Sequence, residues 1–203
     1  AFHIERNLLN HPIGKQDDYI ASFGGFNYIK FSKNKVKVSP IKISNSVKKE
    51  LESNLLLFYI GTTRNSAVIL SKQLQNIKKD KEVVIESLHS VKELVEDFYS
   101  SIRQSNIQNV GELLNKGWEA KKLFVKGITN DHIDKIYQSA IKAGATGGKL
   151  TGAGGGGHIL LYCEKPHRKK VIQKMESLGL RHIPFNFHST GPKILDLYDY
   201  NKF

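Results

Sequence analysis

Eight of the 14 residues from Gly144 to Gly157 are glycine. That density allows either a flexible linker or a backbone that must pass close to something. The flanks decide between the two. A linker would be Ser-rich and polar on both sides, whereas this stretch runs from an amphipathic helical pattern into the apolar run His158-Ile159-Leu160-Leu161-Tyr162-Cys163. Successive glycine N–H groups can turn inward and form a concave nest for anionic oxygens, so the expectation is an ordered, anion-handling loop. Gly152, Gly154 and Gly157 satisfy G-x-G-x-x-G. A dinucleotide site, however, needs those glycines to follow a strand and open a helix, and here a strand follows. A P-loop fails as well: Gly148-Lys149 is followed by Leu150, and the first glycine of G-x-x-x-x-G-K would fall on Ala143.

Periodicity organises the rest. Residues 1–9 read as the end of a helix, and Asn10-His11-Pro12-Ile13-Gly14 as a turn. A short helix over 15–22 ends at Gly24-Gly25. Alternating large residues at 26–31 and 36–38, with polar Ser32-Lys33-Asn34-Lys35 between them, predict a hairpin. A polar helix over 46–53 precedes Leu55-Leu56-Leu57-Phe58-Tyr59-Ile60, an apolar run of strand length. Helical patterns follow near 65–79, 81–104 and 107–124. A further helix is capped by Thr129 or Asn130, carries Ile133, Ile136, Tyr137, Ala140 and Ile141 on one face, and stops at Gly144. After the glycine loop come a strand at 158–163, a helix over 166–178 opened by Pro166, and a strand at 181–187. The pattern predicts an α+β sandwich with an antiparallel sheet beside a helical bundle.

Composition narrows the function classes. A chain of 203 residues with 39% hydrophobic and 25% charged residues can bury a core. No apolar run reaches the roughly 20 residues that span a bilayer, so no membrane partner is expected. The lone Cys163 lies in an apolar run and reads as a buried, inert thiol suited to a reducing cytoplasm. The net charge of +12 would draw anions. Only five of the 31 basic residues are Arg, and they are dispersed, which argues against a nucleic-acid partner. The eight histidines show no metal-ligand spacing, and no metal site is expected.

Gly147-Gly148-Lys149-Leu150-Thr151-Gly152-Ala153-Gly154-Gly155-Gly156-Gly157 resembles the third motif of the GHMP kinases. Two more segments agree in order and distance: Gly14-Lys15-Gln16-Asp17-Asp18-Tyr19-Ile20-Ala21-Ser22-Phe23-Gly24-Gly25 and Leu57-Phe58-Tyr59-Ile60-Gly61-Thr62-Thr63-Arg64. Together they look most like the branch acting on D-glycero-D-manno-heptose 7-phosphate, with fucose kinases as close relatives. The resemblance implies a ferredoxin-like C-terminal domain over residues 51–203 and the remainder of an N-terminal domain over residues 1–50. It also implies an ATP- and Mg2+-dependent kinase phosphorylating the anomeric hydroxyl of a sugar phosphate.

Asp17 then matches the carboxylate that takes up or orients the attacking hydroxyl's proton; on the residues alone, an ordinary helix-start carboxylate is the favoured reading. Asp18 stands where the family has Gln, at a substrate contact. Lys15 steadies Asp17, meets a phosphate or is solvated. Arg64 holds the sugar's distal phosphate or makes a surface ion pair. Lys149 and Thr151, with Gly152, Gly154, Gly155 and Gly156, support nucleotide phosphates or hold the loop in shape. The family's earlier phosphate loop and most of its magnesium ligands would precede residue 1. The expectation is therefore a C-terminal portion, inactive alone, either a truncated product or half of a split enzyme, with a second chain or an upstream reading frame carrying the rest. A non-catalytic sugar-phosphate-binding remnant is the competing reading. A weaker one is an RNA binder, from the aromatic run Phe23-Gly24-Gly25-Phe26-Asn27-Tyr28-Ile29-Lys30-Phe31, which lacks the leading basic residue and the glycine spacing of an RNA-recognition strand.

Overall fold

The structure, a computed structural model, describes residues 2–10, 13–61, 66–79 and 81–193. Packing divides the chain into two compact units, Ala1–Lys42 with Phe187–Phe203, and Ile43–Asn186.

The first unit opens with a π-helical segment, His3–Leu8, where the sequence pattern predicted a helix end. Helix α1 (Gln16–Phe23) follows and is closed by Gly24 at φ 63°. Strands β1 (Asn27–Phe31) and β2 (Val36–Pro40) form an antiparallel hairpin in which Ile29 faces Val38 and Lys30 faces Lys37. The predicted hairpin is present. Its register puts Ile29, Phe31, Val36 and Val38 on one face, as the two-residue period of a strand requires.

The second unit begins with α2 (Asn45–Asn54), whose first turn is capped by Ser44 Oγ accepting from the Val47 amide at 3.3 Å. Strand β3 (Leu55–Tyr59) comes next, then helices α3 (Ser66–Lys78), α4 (Glu82–Arg103), α5 (Val110–Lys122) and α6 (Asp131–Ala143). Asn130 caps α6, its Oδ1 accepting from the Ile133 amide at 3.0 Å, and Gly144 closes it at φ 118°. Strand β4 (Gly147–Leu150), β5 (His158–Tyr162), α7 (Lys165–Ser177) and β6 (Arg181–Ile183) complete the unit.

The sheet order is β4-β5-β3-β6, with every neighbouring pair antiparallel. Chain order β-α-β-β-α-β on that sheet is the ferredoxin-like arrangement, so the expected α+β fold is the one found. One sheet face carries Leu56, Phe58, Ile159, Leu161 and Leu150 into the core, where they meet Ile133, Ile136, Tyr137 and Ala140 of α6 and Val171 and Met175 of α7. Each fully buried aliphatic side chain contributes roughly 1.5–3 kcal/mol relative to exposure. The 3.6-residue spacing of α6 thus has its cause in the core it faces.

Strand β4 departs from expectation. Residues 147–150 belong to the sheet rather than to the loop, and α5 packs against them. A Cβ on Gly147 would lie 1.8 Å from the Gly111 carbonyl oxygen, so glycine is what lets α5 and β4 approach this closely.

Candidate functional site

Because β4 and β5 are hydrogen-bonded neighbours, the glycine segment closes a hairpin. Residues 151–157 form its loop, and Thr151 donates its amide to the His158 carbonyl at 3.0 Å as the last rung. Four of its glycines, Gly152, Gly154, Gly155 and Gly157, have positive φ. Gly154, at φ 99°, has Ile128 within 3.0 Å of where a Cβ would stand, while the Gly155 amide donates to the Ile128 carbonyl at 2.7 Å. Ile128 is fully buried, so the loop is pinned to the core at its tip. Ile60, just past β3, donates to the Gly157 carbonyl at 3.0 Å and fixes the far end. Thr151 Oγ1 donates to the His158 carbonyl at 3.3 Å, which serves the loop's shape, and Lys121 Nζ donates to the Gly152 carbonyl. Lys121 could not be read from the motifs, because it reaches the loop from α5 and only the folded packing brings the two together.

Lys149 sits on β4 opposite Leu160, on the sheet face away from Leu150. It is half-buried, and burial holds its ammonium below the ordinary lysine range. Nearby, Tyr137 donates to Asn115 Oδ1 at 2.6 Å, and its hydroxyl lies 3.4 Å from the Gly148 carbonyl oxygen. Burial first, and Glu119 second, push this phenol up to about 12.

In the first unit, Lys15, Asp17 and Asp18 lie together at the start of α1, where the helix dipole favours carboxylates. Asp17 is exposed. Asp18 is half-buried and borders a cavity of about 250 Å³ lined by Phe2, His3, Asp18, Tyr19, Ser22 and Phe23. Its Oδ2 is shielded from solvent and has no hydrogen-bond partner. A buried acceptor left this way costs free energy until a donor reaches it. Lys15 Nζ stands 5.3 Å from the Phe2 ring centroid. Arg64 lies outside the described residues.

Among the described residues, no group of three or more His, Cys, Asp or Glu side chains could hold a metal ion. No helix among them is long and apolar enough to cross a membrane. Of the predicted site residues, Lys15, Asp17 and Asp18 belong to the first unit at the start of α1, and Lys149, Thr151 and the loop glycines to the second at the β4–β5 hairpin.

Comparison with known proteins gives these features a family. Residues 90–179, which run from α4 through the glycine hairpin to the end of α7, match the family model for the GHMP kinases C terminal. D-glycero-alpha-D-manno-heptose 7-phosphate kinase of Campylobacter jejuni is 32% identical over 197 residues, covering 95% of this chain and 57% of that protein. The bifunctional fucokinase/GDP-fucose pyrophosphorylase of Arabidopsis thaliana is 24% identical over 140 residues, 69% of this chain and 13% of that protein. A crystal structure of a D-glycero-D-manno-heptose 1-phosphate kinase from Bacteroides thetaiotaomicron superposes with a TM-score of 0.70 at 28% identity, covering 96% of this chain and 54% of that one. The chain thus spans little more than half the length of the two heptose kinases it matches. On its antiparallel ferredoxin-like sheet, its glycine hairpin and these matches, the chain carries a C-terminal domain of the GHMP kinase family.

Proposed function

We propose that this chain is part of an ATP-dependent sugar kinase that phosphorylates the anomeric hydroxyl of a heptose 7-phosphate. The observation that carries the reading is the 32% identity over 95% of the chain to a heptose 7-phosphate kinase. A match of that coverage takes in both the α1 aspartates and the glycine hairpin. A fucose or other sugar kinase is the alternative, supported by the 24% identity to a fucokinase. A cytoplasmic setting goes with either.

Phosphoryl transfer needs mainly positioning and charge stabilisation. In this reading, the Asp17 carboxylate accepts the proton of the attacking hydroxyl as the new oxygen–phosphorus bond forms and the bond to ADP breaks, the electron pair leaving with ADP. The exposure of Asp17 leaves it open to a substrate. Asp18, with its unpartnered oxygen, accepts a sugar hydroxyl as donor. Lys15 and Arg64 offer positive charge to the substrate's phosphate. At the hairpin, Lys149, Thr151 and the glycines from 152 to 156 hold or support the nucleotide phosphates. Most of the magnesium ligands are assigned, in this reading, to the part of the enzyme that this chain does not span. In this reading residues 1–50 are the remainder of an N-terminal domain and residues 51–203 the C-terminal domain.

The test is a chimera in which the part of the Campylobacter jejuni relative not spanned by this chain is joined to it. ATP-dependent phosphorylation of heptose 7-phosphate is expected, with Asp17→Asn lowering turnover by about 10²–10⁴-fold. Unchanged turnover in Asp17→Asn would remove Asp17 as the base. Tight heptose 7-phosphate binding without turnover would favour a sugar-phosphate-binding remnant.

A further inference from the structure

Strand β6 is an edge of the four-stranded sheet, and a cavity of about 280 Å³ opens beside it. Three basic side chains reach its lining from three elements: Lys49 from α2, Arg168 from α7 and His182 from β6. Leu55, Pro184 and Phe185 supply an apolar wall, and one carboxylate, Glu52, stands among the lining residues. Arg168 is held in place, its Nη1 donating to the Ser53 carbonyl and, at 3.3 Å, to the Leu55 carbonyl. Among the described residues no carboxylate pairs with Arg168 or Lys49. Nor does a hydrogen bond among them reach the His182 ring, which packs 5.2 Å from the fully buried Phe58 ring. A guanidinium fixed by carbonyls and matched by no anion leaves a local positive field. Along α7 a neighbouring groove shares Arg168 and adds Lys165 and Lys169, with no acidic residue on its lining. Burial first, and the Arg168 charge second, hold His182 below the ordinary histidine range, while Glu176 acts the other way.

We propose that this cavity binds a phosphate group, held by the Arg168 fork and the Lys49 ammonium beside His182. A planar fork matches phosphate oxygens in pairs, and an ammonium adds a point charge. The volume suits a small ligand, and the apolar wall suits the organic body of a phosphomonoester. The sugar-kinase reading uses none of these residues. The cavity also stands away from the glycine hairpin. It takes in Leu55, where β3 begins, whereas the hairpin loop is tied to Ile60, just past the other end of that strand. At the ordinary rise of a strand, roughly 13 Å separates the two ends of β3. Protonation of His182 adds a third positive group to the lining, so anion binding and proton uptake favour each other.

The experiment follows the His182 ring protons of the full chain by NMR, the resonance being assigned by its loss in His182→Gln. Sulfate serves as a probe whose charge does not change across the histidine range. It should shift the His182 resonance saturably and move its titration midpoint upward, and chloride at equal ionic strength should do neither. Sulfate affinity should rise as pH falls from about 7.5 to about 5.5, and His182→Gln, followed by calorimetry, should lose that dependence. Lys49→Gln should weaken sulfate about threefold to fivefold, as loss of an exposed charge contact does, while Lys149→Gln at the hairpin should leave it unchanged. Arg168 stays intact in these variants because it also holds the Ser53 and Leu55 carbonyls. Inorganic phosphate and glycerol 3-phosphate then separate the sources. Tighter binding of the ester assigns the site to a phosphomonoester, equal or weaker binding assigns it to free phosphate, and either result keeps the site. No saturable shift with any of the three anions at millimolar concentration would overturn the proposal. So would an equal shift with chloride, a His182 midpoint that sulfate leaves in place, or binding lost in Lys149→Gln and untouched in Lys49→Gln.

Discussion

Lys149 carries a charge into a position that disfavours one. Its folded-state value lies below its unfolded one because burial penalises the ammonium. The associated stability is therefore fully present above the unfolded value, near 10.4, and is lost as pH falls through the folded value. At neutral pH the charge destabilises the fold unless an anion meets it. Lys149→Met should raise the urea midpoint at pH 7, and the gain should shrink as pH approaches about 11. An equal gain at both ends of that range would show that packing, not charge, is responsible. Cys163 behaves oppositely in consequence. Burial pushes its thiol up to about 11, and the side chain is fully enclosed, so it should resist alkylation at pH 8 until the protein unfolds. Labelling that outpaces global unfolding would contradict this. The inert thiol and the loop glycines were legible from the sequence, the first from its apolar neighbours and the second from sheer density. The orphaned Asp18 oxygen was not, because it depends on how the π-helical segment and α1 enclose a cavity.

At the scale of elements, the long helices and the central strands could be read because their apolar residues repeat with the right period and the core enforces it. The C-cap at Gly144 was readable too, and of the two candidate N-caps the structure selects Asn130. Asn130→Ala should cost about 1 kcal/mol in equilibrium unfolding, since the Ile133 amide loses its acceptor. Strand β4 was hidden in the glycine segment. Gly147 and Gly148 have no side chains to show a two-residue period, and their place in the sheet comes from β5 on one side and α5 on the other. Gly147→Ala should destabilise by about 1–3 kcal/mol, because its Cβ meets the Gly111 carbonyl rather than a yielding side chain. A neutral result in the same unfolding measurement would mean that α5 can withdraw from β4 without penalty. Strand β6, expected over 181–187, ends at Ile183. Pro184 follows it and cannot donate a ladder hydrogen bond.

For the whole molecule, the second unit has a continuous core and the first has none among its described residues. Periodicity reports which face of an element is apolar, and it reported the hairpin correctly; it does not report whether anything covers that face. The sequence motifs placed the chain in its family because each is local. Phosphoryl transfer to a heptose phosphate can be watched by 31P NMR of the chimera with ATP and heptose 7-phosphate. A second phosphorus resonance should grow on the heptose as ADP appears and be absent in Asp17→Asn. A folded chimera that leaves heptose 7-phosphate unchanged while phosphorylating fucose, or that consumes no ATP with either sugar, would contradict it.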